Sequence, residues 1–142
     1  MINGDDLVVE FDPEVADIEY LDDRLYEYNM AQTGYRDGQR LAIFVRDDEQ
    51  KIRAGLDAWT WGSSGEIRSL WVEAALRGQG VGAKLMRAAE REALARGCTQ
   101  LMLGSFSFQA PDFYQALGYE VFATLEDHPR GHQLYMLYKR LT

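Results

Sequence analysis

Cysteine is almost absent from the sequence, with Cys98 as the single example among 142 residues. An internal disulfide is therefore excluded, and one cysteine with two histidines offers too few ligands for a structural zinc site. The sequence also lacks any apolar run near the roughly 20 residues that a membrane-spanning helix needs. Its first residues are acidic and lack the basic-then-apolar order of a signal peptide. These absences predict a protein of a reducing, cytoplasmic compartment with no metal site and no membrane partner.

Basic residues are scarce, because Lys and Arg number 15 against 23 Asp and Glu, which gives a net charge of −8. Proteins gain most of their non-specific affinity for nucleic acids from basic side chains that release counterions, so this balance disfavours a nucleic-acid partner. The acidic residues concentrate near the start of the chain, where Arg24 is the only base before Asn29. The second half is closer to balanced, and we expect any phosphate-binding surface there.

Repeats and low-complexity stretches are absent as well, and the chain has the length of one ordinary domain. We therefore predict a single domain over residues 1–142. After Pro13 the apolar residues recur in steps of three and four, which is typical of an amphipathic helix. The segment 29–38 is polar and predicts a loop or a short helical piece.

The remaining pattern predicts an α/β protein with one mixed sheet. Residues 41–72 contain three strand-like runs joined by turns that are short enough only for antiparallel neighbours, so they predict a meander. The strand–helix–strand order that follows is typical of parallel pairing through a right-handed crossover. The predicted elements are a strand at 7–11, a helix at 15–28, strands at 41–46, 51–61 and 66–72, a helix at 80–96, a strand at 100–103, a helix at 111–117, and strands at 119–125 and 133–141.

An arginine and three alternate glycines stand between the third strand of the meander and the next helix, at residues 77–82. Glycines let backbone N–H groups turn towards one point and let an anion approach without obstruction by Cβ. The helix N-terminus adds unpaired donors and partial positive charge, and Arg77 offers a charge-assisted hydrogen bond. This segment therefore predicts a cradle for a phosphate or pyrophosphate. A turn that binds nothing would need fewer glycines.

Two other phosphate motifs fit this segment less well. A Walker loop ends in Gly-Lys-Ser/Thr, which the residues after Gly82 do not supply. A dinucleotide fingerprint matches loosely at Gly78, Gly80 and Ala83. That fingerprint also needs an acid about 20 residues further on to hold a ribose. Residues 98–111 contain no acid, so the dinucleotide interpretation is weak.

The pattern Arg-x-x-Gly-x-Gly at 77–82, directly after a strand, resembles the acyl-coenzyme A loop of the GNAT superfamily of N-acetyltransferases. The segment 113–119 (FYQALGY) follows in that family's order and spacing. The resemblance is close over residues 41–141 and loose over the first forty. It implies a GNAT-like acyl-CoA N-acyltransferase architecture with acetyl-CoA as cosubstrate. It also implies transfer to a primary amine of a small molecule or peptide, by direct attack in a ternary complex.

The resemblance implies roles for individual residues. It places the coenzyme pyrophosphate on the backbone of Arg77, Gly78, Gln79, Gly80, Val81 and Gly82. The pantetheine and the thioester carbonyl would bind the strand edge at Leu70, Trp71 and Val72. Tyr114 aligns with the tyrosine that relatives use against the leaving thiolate. A phenol has a pKa near 10 and a thiol one near 8.5, so Tyr114 would donate a hydrogen bond that strengthens as charge appears on sulfur.

The attacking amine must lose a proton, and Glu66 is the first candidate to accept it. Its place, six residues before Val72 on the same strand, is similar to that of a glutamate that serves as base in some family members. The same residue also fits an exposed glutamate paired with an arginine, since it shares strand parity with Arg68 and Leu70. Asp57, His128 and His132 are weaker candidates for the base.

The sequence departs from the family at two places. Gly104 stands where some relatives carry a glutamate, and Ser107 and Gln109 stand where many carry an asparagine before the tyrosine helix. A catalytically silent acyl-CoA-binding or sensor domain would keep the same cradle, and a plain interaction domain would bind no coenzyme. Many relatives pair, so a homodimer is also an expectation, while the acceptor stays undefined.

Overall fold

A six-stranded mixed sheet organises the second of two compact units in the computed structural model, which describes residues 1–142. The units are Met1–Tyr35 and Arg36–Thr142. The regular elements in chain order are α1 (Val15–Thr33), β1 (Gln39–Arg46), β2 (Ile52–Trp61), β3 (Ser64–Val72), α2 (Val81–Ala95), β4 (Gln100–Phe106), α3 (Pro111–Ala116), β5 (Glu120–Glu126) and β6 (Gln133–Arg140). No helix combines the length and the apolar character that crossing a bilayer requires.

The strands lie in the order β1-β2-β3-β4-β6-β5. The pairs β1–β2 and β2–β3 are antiparallel, so the predicted meander is confirmed. The pair β3–β4 is parallel and is connected through α2, which confirms the predicted crossover. The fold class expected from the sequence, an α/β protein with an antiparallel and then parallel sheet, is therefore confirmed.

The core lies between α2 and one face of the sheet. Strand β2 alternates strictly, with Ala54, Leu56 and Ala58 buried and their neighbours half-buried, as expected for a strand with one face against a helix. Helix α2 turns its apolar stripe to β1, β2 and β3. Cys98, the single cysteine, is buried in this core.

The predicted strand at 7–11 is wrong, because these residues lie outside every helix and strand and their apolar side chains are exposed. A β-rich composition favours a strand only where a neighbouring strand and a packed face are present. The helix predicted from residue 15 is confirmed and continues to Thr33, so it includes the first part of the segment 29–38, which was predicted as a loop or a short helical piece. None of the residues of α1 is buried.

A β-bulge at Arg68 changes which side chains of β3 share a face. Asp57 of β2 is opposite Ser69, whereas the next residue of β2, Ala58, is opposite Ile67, so Arg68 is the extra residue. A bulge shifts the alternation by one residue. The expectation that Glu66 shares its face with Leu70 is therefore wrong: Leu70 packs against the core, and Glu66 is exposed on the other side.

The parallel pairing of β3 with β4 is short. It runs from Ser64 opposite Gln100 to Ile67 opposite Leu103 and then stops, although both strands continue. Beyond this point the edge of β3 that faces β4 has no strand partner. The separation leaves backbone donors and acceptors available at the centre of the sheet, which is where the candidate site lies.

Candidate active site

A cavity of about 960 Å³ opens where β3 and β4 separate. Its walls are the end of β3, the loop to α2, the first turn of α2, the end of β4 and the start of α3. Most of the residues predicted for the site line this cavity, namely Leu70, Trp71, Val72, Arg77, Gly78, Gly80, Val81, Gly82 and Tyr114. Gln79 and Glu66 do not line it.

The loop before α2 depends on two glycines with left-handed backbone conformations. Gly78 has φ of 75° and Gly80 has φ of 79°, and nothing lies within 4 Å of a Cβ built on either. These two positions require glycine for their backbone conformation, which other residues adopt only at a cost of about 1–2 kcal/mol. The open space beside them also leaves their backbone accessible.

Helix α2 begins directly after this loop without a side-chain cap. The N–H of Lys84 donates to the carbonyl of Gly80 at 3.1 Å, so the amides before Lys84 are the ones that an α-helix leaves unpaired. Val81, Gly82 and Ala83 line the cavity. The site therefore presents backbone donors and the positive end of a helix dipole, a combination that binds anions.

Gly82 has a different reason to be glycine. A Cβ at this position would lie 3.2 Å from Cζ of Phe113, so its absence lets α2 approach α3 closely. Of the three glycines predicted to form the cradle, two set the backbone conformation and the third permits packing. The sequence pattern alone does not separate these two functions.

The side chains of Arg77 and Gln79 donate hydrogen bonds to nearby backbone carbonyls. Nε of Arg77 donates to the carbonyl of Val72 at 2.9 Å, which ties the loop to the end of β3. The side-chain amide of Gln79 donates to the carbonyl of Ala75 at 3.1 Å. The side chain of Gln79 thus turns back to the loop, and its predicted contribution through the backbone stays a prediction.

Tyr114 lies on α3 and contributes its half-buried ring to the cavity. The ring makes edge contacts with Phe113 and Tyr119, at centroid distances of 5.0 and 6.2 Å. Burial raises the pKa of Tyr114 above the usual value of a phenol. The phenol therefore stays protonated at neutral pH and can act as a hydrogen-bond donor inside the cavity.

A partly buried polar cluster lies next to Tyr114 and includes Tyr119, whose ring contacts that of Tyr114. The hydroxyl of Tyr119 donates to Oε2 of Glu90 at 3.2 Å, and Nζ of Lys139 donates to Oε1 of Glu90 at 2.8 Å. Burial, reinforced by the charge of Glu90, raises the pKa of Tyr119 strongly. The N–H of Tyr119 also donates to the carbonyl of Tyr114 at 3.1 Å. These bonds connect α2, α3 and β6 around the ring of Tyr114.

Glu66 lies at a second cavity, of about 500 Å³. It stands opposite Trp59 of β2 and beside Met102 of β4. Because Gly65 and Ile67 are buried towards α2, the alternation of the strand places Glu66 on the opposite face of the sheet. The structure therefore does not bring Glu66 and Tyr114 into one cavity, but Glu66 immediately precedes the last β3 residue that pairs with β4.

The weaker base candidates lie elsewhere. Asp57 is in the middle of β2, opposite Ala42 and Ser69. His128 and His132 are in the turn between β5 and β6, where the ring of His132 lies at the edge of Phe108 at a centroid distance of 5.0 Å. Phe108 lines the larger cavity, so this turn borders the site.

Sequence reasoning missed one polar residue on the β4 side of the larger cavity, Ser105, although it had named Ser107 and Gln109. Ser105 lines it and is buried, and its hydroxyl has no hydrogen-bond partner. Gln109 also lines it, but its side-chain carbonyl accepts the N–H of Phe106 at 2.7 Å, and the hydroxyl of Ser107 accepts the N–H of Gln133 at 3.1 Å. The last two side chains therefore stabilise the local backbone. No spacing in the sequence distinguishes Ser105 from other serines.

Comparison with known proteins finds consistent similarities. Residues 6–119 match the acetyltransferase (GNAT) family. The chain is 32% identical over 130 residues to an acetyltransferase of Agrobacterium fabrum, covering 89% of this chain and 95% of that one. The crystal structure of an acetyltransferase from Bacillus cereus superposes with a TM-score of 0.77 at 32% identity, covering 95% and 98% of the two chains.

A more distant structure shares the fold. It is an aminoglycoside 6'-N-acetyltransferase complexed with coenzyme A, which superposes with a TM-score of 0.65 at 18% identity and covers 81% of this chain and 77% of its own. At this level of identity the likeness concerns the fold alone.

Proposed function

The chain belongs to the acetyltransferase (GNAT) family and is an acetyl-CoA-dependent acyltransferase, and we propose that it transfers the acetyl group to a primary amine by direct attack in a ternary complex. The observation that carries the proposal is the shared cavity of the open β3 edge, the glycine loop and Tyr114. We further propose that residues 1–142 act as a single domain. The family match at 6–119 supports this, since it spans both compact units.

The residues of the larger cavity fit acetyl-CoA. The loop from Arg77 to Gly82 and the first turn of α2 offer backbone donors to the pyrophosphate, and the cavity extends from there along β3. A volume of about 960 Å³ is ample for the arm of an acyl carrier. When bound, acetyl-CoA supplies an acetyl group activated as a thioester.

The open edge of β3 supplies the electrostatic part of the mechanism. Backbone N–H groups alternate along a strand, and β4 does not occupy those of Arg68–Val72 on the side that faces it. We assign to this edge, at Leu70, Trp71 and Val72, the hydrogen bonds to the carrier arm and to the carbonyl oxygen that gains negative charge. Loss of one such fixed donor costs about 3 kcal/mol in comparable reactions. Tyr114 donates to the sulfur that leaves.

The amine must lose a proton before or during attack. For a lysine-like amine at pH 7 this costs about 4.6 kcal/mol without assistance. We assign to Glu66 the role of accepting this proton. Its carboxylate lies on the face of the sheet opposite to the cavity of Tyr114, next to the point where β3 and β4 separate. An amine on that face would reach the cavity of Tyr114 through the gap between the strands. A water molecule would connect Glu66 with the amine.

The first test of the proposal is binding and turnover. Isothermal titration of the protein with acetyl-CoA is expected to show a saturable site, and a panel of primary amines is expected to contain at least one that releases free thiol above the hydrolysis background. Absence of binding at millimolar acetyl-CoA would contradict the proposed function. Binding without thiol release across the panel would instead indicate a silent acyl-CoA-binding domain.

Glu66→Gln tests the proton acceptor. We expect kcat/KM for the best amine to fall about tenfold at pH 7, less than the hundredfold or more of a base in direct contact, because Glu66 acts through water. The deficit should shrink as the pH approaches the pKa of the amine, since the free amine needs no acceptor before attack and loses only the proton that leaves as the C–N bond forms. Glu49→Gln, in the exposed β1–β2 turn, is the control. A rate for Glu66→Gln equal to that of Glu49→Gln at every pH would remove Glu66 from the mechanism.

A further inference from the structure

The two buried serine and threonine side chains of this protein differ in one respect. Thr60 is 2% exposed and Ser105 is 1% exposed. The hydroxyl of Thr60 accepts a hydrogen bond from Nη1 of Arg96 at 3.0 Å and donates to the carbonyl of Gln39 at 3.4 Å. The hydroxyl of Ser105 has no partner, and it is the only buried side-chain polar atom of the chain in that condition.

A buried hydroxyl without a partner is unfavourable in the free protein. It has lost its hydrogen bonds to water and gained none in exchange, whereas alanine at the same position would have lost nothing. A ligand that supplies the missing partner recovers this free energy on binding. An unpartnered hydroxyl in the wall of a ligand cavity therefore indicates a contact that forms only in the complex.

The position of Ser105 indicates which part of acetyl-CoA it would meet. The alternation of β4 places Ser105 on the same face as Leu101 and Leu103, towards α2, and it lines the larger cavity together with Tyr114. Since Ile67 is opposite Leu103 and Arg68 is the extra residue of the bulge, Ser105 lies near the level of Leu70, two residues before the end of β3. At about 3.3 Å per residue this is about 7 Å from the strand end that leads into the glycine loop.

We propose that the Ser105 hydroxyl is a binding residue for the thioester group of acetyl-CoA. The inference rests on the proposed function, because it takes acetyl-CoA as the occupant of the cavity. The hydroxyl donates a hydrogen bond to the thioester, whereas the pyrophosphate binds the glycine loop. Ser105 and Tyr114 then hold the same reactive end of the cosubstrate from β4 and from α3.

Ser105→Ala separates ligand binding from folding, because the inference predicts opposite effects on the two. By isothermal titration, the affinity for acetyl-CoA is expected to fall about three- to tenfold, which is the range of one neutral hydrogen bond. The affinity for desulfo-CoA, which lacks the sulfur and the acetyl group, should not change. The Tm of the free protein should stay the same or rise, since the substitution removes an unpartnered polar group.

Thr60→Val is the matched control, since it removes the buried hydroxyl that has partners. We expect it to lower the Tm of the free protein by a few degrees and to leave both affinities within about twofold of the original protein. Equal losses of Ser105→Ala for acetyl-CoA and desulfo-CoA would overturn the assignment to the thioester. Unchanged acetyl-CoA affinity, or a lowered Tm as in Thr60→Val, would overturn it as well.

The titration of the original protein distinguishes a failure of the proposed function from a failure of the role of Ser105. If it binds no acetyl-CoA, the proposed function fails and the role of Ser105 fails with it. If it binds acetyl-CoA and Ser105→Ala binds equally well, only the role of Ser105 fails.

Discussion

Replacing Tyr114 with phenylalanine is expected to lower kcat about 100-fold while leaving the affinity for acetyl-CoA within about twofold. The ring keeps its contacts with Phe113 and Tyr119, so the wall of the cavity is preserved. Only the donor to the leaving sulfur is lost, and charge appears on that sulfur only as the reaction proceeds. Steady-state rates with the best amine of the panel and a titration with acetyl-CoA measure the two quantities.

Tyr135→Phe is the matched control for this substitution. Tyr135 is a half-buried tyrosine that packs against the same core and does not line the cavity. Its variant is expected to keep kcat within about twofold of the original, as is usual for substitutions away from a site. If Tyr114→Phe were no slower than Tyr135→Phe, the phenol of Tyr114 would have no role in the reaction.

The raised pKa of Tyr114 determines how the reaction rate should depend on pH. Burial raises the pKa above its usual value of 10, so the phenol stays a donor over the whole range in which an amine becomes increasingly deprotonated. The rate should therefore rise from pH 7 towards pH 10 without a decline caused by Tyr114. A falling limb in this range that Tyr114→Phe abolishes would show instead that the phenol ionises and that its proton is transferred.

The sequence predicted the parts of the fold that depend on neighbouring residues. The meander follows from short turns between β-rich runs, and the loop at 77–82 follows from glycines next to a helix start. The strand predicted at 7–11 was wrong because a strand depends on residues that are not its neighbours in the sequence. A strand requires a partner elsewhere in the chain, and the composition of five residues does not reveal whether one exists.

The geometry of the site depends on two features that no local pattern encodes. One is the bulge at Arg68, which puts Glu66 and Leu70 on opposite faces of the sheet. The other is the end of β3–β4 pairing at Ile67, which leaves the edge of β3 available. The first results from the register between β2 and β3, and the second from the pairing of β3 with the distant β4. Eight of the nine residues predicted to bind the cofactor line the larger cavity, and their role stays a prediction. The position of Glu66 and the role proposed for Ser105 required coordinates.

Gly80→Val is expected to weaken acetyl-CoA binding about 100-fold. Valine is strongly disfavoured at φ of 79°, so the chain must leave this conformation or keep it under strain. In the first case the amides of the loop no longer converge. Losing one or two hydrogen bonds to a charged group, at about 1.5–3 kcal/mol each, corresponds to roughly a hundredfold loss of affinity. Isothermal titration with acetyl-CoA provides the measurement.

Gly97→Val separates this effect from a general loss of stability, because Gly97 follows the same helix at its other end. Its φ is 88°, and nothing lies within 4 Å of its Cβ position either, so the two substitutions impose similar backbone strain. Both variants should lose about 1–2 kcal/mol of unfolding free energy, measured by urea denaturation. Only Gly80→Val should lose affinity, since Gly97 does not line the cavity. Equal affinities of the two variants would mean that the conformation of this loop does not hold the pyrophosphate.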